Sequence, residues 1–177
     1  MAELIKDVLE DLNKQLGRIE RSLNLLNDEQ IWKRPKDTMN SIGNLCLHLA
    51  GNEYQNISSA IGNRPFIRER SREFTSDGGL SNKELTALLR TTRAESEAVL
   101  ADLTDDDLLR EVIIHYDLED WNRMYQVQAS AGETCETRVI GRLLVQVAAH
   151  YGYHAGQIVL LTKLLTGTDE HLTGQYH

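Results

Sequence analysis

Apolar residues recur at intervals of three and four through much of this chain. Leu4, Val8, Leu12, Leu16, Ile19, Leu23 and Leu26 form one such series, which predicts an amphipathic helix over residues 2–26. Lys6, Asp7, Glu10, Asp11, Lys14, Arg18 and Arg21 fall on its other face. The pattern then breaks at Asn27-Asp28 and at Arg34-Pro35-Lys36-Asp37, with Trp32 placed to plug one end of a bundle. A second helix is expected over 40–61, capped by Asn40 or Ser41. Ile42, Leu45, Leu49 and Ile57 give it an apolar side, which Asn44, Asn52 and Asn56 interrupt.

Residues 62–80 carry Gly62, Pro65 and Gly78-Gly79 and read as a long loop. Ser81 and Glu84 have the spacing of a capping box. A third helix follows over 81–103, with Leu85, Leu88, Leu89, Val99 and Leu103. In 104–136, the Thr104–Asp107 run suggests a short capped turn, and EVIIHYD and MYQVQAS suggest a small hairpin or extended flap. A last helix is expected over 137–165, stopped by Gly167, with a poorly ordered tail to His177. These elements predict an all-α, single-domain four-helix bundle over 1–177. Two long connections leave room for a crossover topology.

Composition narrows the class. The chain has 177 residues, enough for a continuous core. Its formal net charge of −8 argues against a nucleic-acid partner. Two cysteines, Cys46 and Cys135, make no disulfide framework and fit a reducing cytoplasm. The N-terminal residues lack a signal-peptide layout, and the apolar runs are too short to span a membrane.

The chemistry concentrates in the last helix. Leu143, Val147, His150, His154, Ile158, Leu161 and Leu165 fall within an arc of about 80°. His150 and His154 therefore lie one turn apart in the stripe that faces the core, a separation that suits two ligands of one metal. The glutamate of an H-E-x-x-H helix is absent from HYGYH. An H-x-x-x-H pair alone is weak evidence, since core histidines are also satisfied by backbone or polar side chains. His48 shares a strip of the second helix with Asn44 and Asn52. Alone it reads as a bundle-edge residue. Combined with the other two, it would give three neutral imidazoles and leave positions open on a zinc, nickel or similar divalent ion.

GNLCLHLAGNEYQN on the second helix and HYGYHAGQI on the last resemble the paired signatures of the DinB superfamily, and RERSREF before a capped helix is similar to one of its subfamilies. The resemblance spans most of the chain. It implies an up-down-down-up four-helix bundle, frequent homodimers, and a divalent metal held by His48, His150 and His154. Some members are thiol S-transferases or thiol-using isomerases, so a low-molecular-weight thiol is the implied substrate class. A hydrolase using metal-bound hydroxide and a non-catalytic stress-response module are the alternatives.

Secondary candidates carry ordinary readings beside functional ones. Gln157 could orient His154 or be a surface amide; Asn44, Asn52 and Tyr151 could line the site or pack. Tyr54 and Tyr153 could stand at a pocket mouth. Arg64, Arg68, Arg70 and Arg72 could receive a carboxylate or phosphate, or be solvated with Glu69 and Glu73 as partners. Gly152 and Gly156 could admit a neighbouring helix. His115 is a candidate fourth contact, and His171 and His177 belong to the tail.

Overall fold

The computed structural model describes residues 2–130 and 132–174. Four long helices dominate it: α1 (Glu3–Asn24), α3 (Ile42–Glu53, continued by a π-helical stretch over Tyr54–Ile61), α5 (Asn82–Leu100) and α7 (Ile140–Thr166). Three short helices, α2 (Asp28–Trp32), α4 (Arg70–Thr75) and α6 (Leu118–Tyr125), lie in the connections. α1 packs on α7 and α5, and α3 packs on the same two helices.

The expected stripes supply the core. Ile5, Leu12, Ile19 and Leu23 of α1, Leu49 and Ile57 of α3, Leu85 and Leu89 of α5, and Leu143, Val147 and Ile158 of α7 are fully or almost fully buried. Each such side chain contributes roughly 1.5–3 kcal/mol of transfer free energy. Ser41 caps α3 in a capping box with Asn44, and Ser81 caps α5 in one with Glu84. Gly167 ends α7 at φ 67°, in the left-handed region that glycine tolerates. Trp32 ends α2. Its ring lies where a side chain on Gly43 would stand, and its indole N–H donates to Leu80 O at 2.8 Å.

Three expectations need correction. The connection over 62–80 is not all loop, because it contains α4 and two buried charged residues, Arg68 and Glu73. EVIIH does form strand β1 (Glu111–His115), but its antiparallel partner is β2 (Cys135–Val139), with Glu111 opposite Val139 and His115 opposite Cys135. MYQVQAS instead ends α6, which starts where Asp117 accepts from the amides of Glu119 and Asp120. The tail is docked as far as it is described: Leu172 is buried, and Arg21 donates to its carbonyl twice. His177 lies outside the described residues.

The π-helical stretch has a local consequence. Widening the last turns of the helix, where Gly62 N–H bonds to Ile57 O, buries the run from Gln55 to Ser59 on consecutive positions. Gln55 thereby donates to His115 O on β1 at 2.6 Å and accepts from Arg68 at 2.5 Å.

Candidate metal centre

His48 on α3 meets His150 and His154 on α7. The Nε2 atoms of His48 and His150 are 3.0 Å apart. Ring centroids are separated by 4.9 Å (His48–His150), 5.0 Å (His48–His154) and 4.6 Å (His150–His154). One nitrogen from each ring can be chosen so that all three lie within 4.8 Å of one another. Two imidazoles on one tetrahedral zinc would hold their nitrogens about 3.3 Å apart, close to the 3.0 Å between His48 and His150. His48 is buried, whereas His150 and His154 are half-buried, so the cluster is covered on one side and open on the other.

All three rings are held neutral at pH 7. Burial, then the neighbouring imidazoles, pushes His150 down to about 3. Burial is also the main cause that lowers His48 and His154. Neutral imidazoles are the form that binds a metal. His150 Nδ1 is buried with no hydrogen-bond partner among the described residues, which is consistent with a place for an ion at the cluster.

Surrounding groups choose which nitrogen each ring presents. His48 Nδ1 lies 2.8 Å from Glu73 Oε2. Arg68 donates to both oxygens of that carboxylate, at 2.6 Å from Nε and 2.8 Å from Nη2. Nη2 also sits 3.1 Å from His48 Nδ1. An ionised carboxylate only accepts, so the 2.8 Å contact requires the ring proton on Nδ1, and Nε2 keeps its lone pair toward the cluster. His154 Nδ1 is likewise 2.7 Å from Gln157 Oε1, leaving Nε2 free. Phe74 packs on the His48 ring at 4.7 Å.

The secondary candidates divide. Gln157 reaches the cluster. Asn44 does not touch a histidine: its amide donates to the carbonyls of Glu73 (3.0 Å) and Ser76 (2.7 Å), which pins the backbone that carries Glu73. Asn52 is half-buried, and no hydrogen bond links its side chain to the three rings. Tyr151 is a core residue under the Arg93 guanidinium, whose carbon is 4.9 Å from the ring centre. Tyr153 is exposed beside His154, at 4.9 Å between rings. His115 points outward from the hairpin and takes no part in the cluster. Among the described residues a side chain at Gly156 would meet nothing within 4 Å, and one at Gly152 would make ordinary contact with Gln15 of α1, so neither position needs a glycine to admit a neighbouring helix.

Glu73 and Arg68, read from sequence as part of a solvated loop, are instead the buried support of His48. One signal could have exposed them. Gly51 stands mid-helix one turn after His48, and a glycine there marks close approach of another group; the group is Glu73, whose carboxylate occupies the place of the missing Cβ. A cleft of about 510 Å³ lies beside this pair, lined by Leu47, Ala50, Tyr54 and Leu88 among others, but by none of the three histidines.

Fold and site together define a helical protein with a three-histidine centre that could hold a divalent metal. The sequence profile of the DinB superfamily matches residues 11–158. The chain belongs to that superfamily, whose members are typically metal-binding. The fold is also that of a conserved protein from Enterococcus faecalis known from its crystal structure, at a TM-score of 0.67 and 15% identity, covering 95% of this chain and 99% of that one. Comparison with curated proteins gives no match.

Proposed function

We propose that this protein is a metal-dependent enzyme that activates or transfers a low-molecular-weight thiol in detoxification or stress defence. The observation that carries the reading is the convergence of three neutral imidazoles, with His150 and His154 only partly covered. His48, His150 and His154 would hold the ion, taken as zinc or nickel, although an imidazole donor set suits copper and iron as well. When bound, a divalent ion with three uncharged ligands favours thiolate over thiol at neutral pH. The chain's own part is to present the donors: Glu73 and Gln157 hold protons on the two Nδ1 atoms and leave the Nε2 lone pairs free. Cys46 is an unsuitable nucleophile, because burial pushes its thiol up to about 12. A nucleophile brought by the substrate agrees with that.

The test is elemental analysis of the purified protein beside His154→Ala, followed by assays with and without added thiol. One bound metal lost in the variant, and turnover that needs both metal and thiol, is the expected result. Ester or amide cleavage without thiol would replace the reading by hydrolysis through metal-bound hydroxide. Metal uptake with no turnover would reduce it to a binding module.

The same reading takes the helix directions as up-down-down-up, which the long connection between α3 and α5 allows. It takes the protein as a cytoplasmic homodimer with no nucleic-acid or membrane partner. No helix among the described residues is long and apolar enough to cross a membrane. Val145, Tyr153, Leu160 and Leu164 of α7 are all more than half exposed and, with Ala149 and Gly156, make an uncharged stripe. A second copy of that stripe would meet no like charge, despite the net charge of −8.

A further inference from the structure

The four arginines of the 62–80 connection are not equivalent. Arg64 pairs with Glu95 at 3.1 Å and Arg72 with Glu69 at 2.8 Å. Arg68 is consumed by Glu73 and Gln55. Arg70 differs: its side chain makes no hydrogen bond and no ion pair among the described residues, and only its backbone N–H is engaged, donating to Asp120 Oδ2 at 3.1 Å. The neighbouring carboxylates are already committed. Glu73 serves Arg68 and His48, Asp120 serves the Arg70 amide and the Ser71 hydroxyl, and Glu69 serves Arg72.

Arg70 is half-buried, and its guanidinium is linked to the three-histidine cluster through Phe74. Its carbon lies 5.5 Å from the centre of the Phe74 ring, and the same ring packs on His48, at 4.7 Å between centroids. Its positive charge is among the causes that lower His48, His150 and His154 alike. A partly desolvated cation with five N–H donors and no acceptor is costly to keep. In a chain with 27 acidic residues a partner could easily have been supplied.

We infer that Arg70 is the specificity residue of the site: it receives a carboxylate, or an anion of like geometry, on a small molecule whose other end enters between His48, His150 and His154. The Phe74 ring packs against both Arg70 and His48. A guanidinium binds a carboxylate through two parallel N–H···O bonds, so the substrate class is a small organic anion. The inference deepens the thiol reading, which makes the substrate an anionic thiol rather than a neutral or cationic one.

The experiment compares ω-mercaptoalkanoates with ω-mercaptoalkanols of equal length. These are titrated into protein loaded with cobalt(II), and the visible absorption of the cobalt reports binding. For at least one chain length the carboxylate should bind at least about tenfold tighter than the alcohol. Arg70→Gln should erase that advantage, Arg70→Lys should keep part of it, and both variants should take up cobalt as the unaltered protein does. Equal affinity for the two series, or an advantage that survives Arg70→Gln, overturns the inference. Failure to take up cobalt at all would instead remove the metal reading. The inference is then decided in metal-free protein, where hexanoate should shift the Nε–H nuclear magnetic resonance that disappears in Arg70→Gln. No shift there overturns it whatever the metal does.

Discussion

The Glu73 carboxylate fills the space that a side chain on Gly51 would need. Glu73 can reach His48 at 2.8 Å only because α3 is bare at that point. A residue three positions after a candidate ligand thus governs the ligand's tautomer without touching it.

Gly51→Ala should therefore displace Glu73. Helix propensity favours alanine by about 1 kcal/mol, but the clash with a buried, ion-paired carboxylate should outweigh it and cost about 1–3 kcal/mol net. Loss of the support under His48 should weaken zinc affinity by about 10–100-fold. Urea unfolding and calorimetric zinc titration measure the two effects. Unchanged zinc affinity in the variant would show that Glu73 does not govern His48.

Metal should stabilise the folded protein through linkage. At a free zinc concentration of about 1,000 times the dissociation constant the gain is about 4 kcal/mol. For a chain of this size that raises Tm by roughly 8–16 °C. His150→Ala should abolish the shift while leaving far-ultraviolet circular dichroism unchanged. A shift of the same size in the variant would mean that zinc binds elsewhere.

Metal-free protein should be acid-labile. Each of the three histidines titrates lower when folded than its ordinary 6.5, His150 as low as about 3. Over that interval the unfolded chain binds more protons than the folded one. Protonation thus favours unfolding, and the stabilising contribution present above about pH 6.5 is lost as pH falls toward 3. Denaturant midpoints across this range should fall with pH, and replacing all three residues by Gln should flatten the slope. An equally steep slope in that variant would assign the lability to other groups.

The α7 stripe should hold a dimer together. Leu160→Glu with Leu164→Glu places two charges on a face where each leucine is now more than half exposed. The monomer fold should survive, since neither side chain is in the core. Sedimentation should show a dimer for the unaltered protein and a monomer for the double variant. A dimer that persists would place the interface on another face.

Much of this was legible in one dimension. Four helices, the Ser81–Glu84 capping box and the α7 stop follow from local rules, because helix periodicity and the hydrogen bonds of caps involve residues at most four apart. The H-x-x-x-H pair was legible for the same reason. β1 was found, but its partner was not. CETRV lies 20 residues away, and the intervening stretch holds α6, whose Asp117 cap is easily passed over in a polar segment. Arg68 and Glu73 were missed because charge-rich loops are nearly always solvated; the one hint, Gly51 in mid-helix, does not say which charge approaches it, and burial is what sets the pair apart from Glu69 and Arg72.

Spacing along the backbone was enough to set the helices, the stripes that face the core, and the two histidines that share a face of α7. Packing settled that His48 meets them, which of its nitrogens faces inward, and that the Arg70 side chain has no hydrogen-bond or ion-pair partner among the described residues. Those facts depend on how segments distant in sequence pack. A carboxylate or guanidinium acquires its role from what remains beside it once water has been excluded.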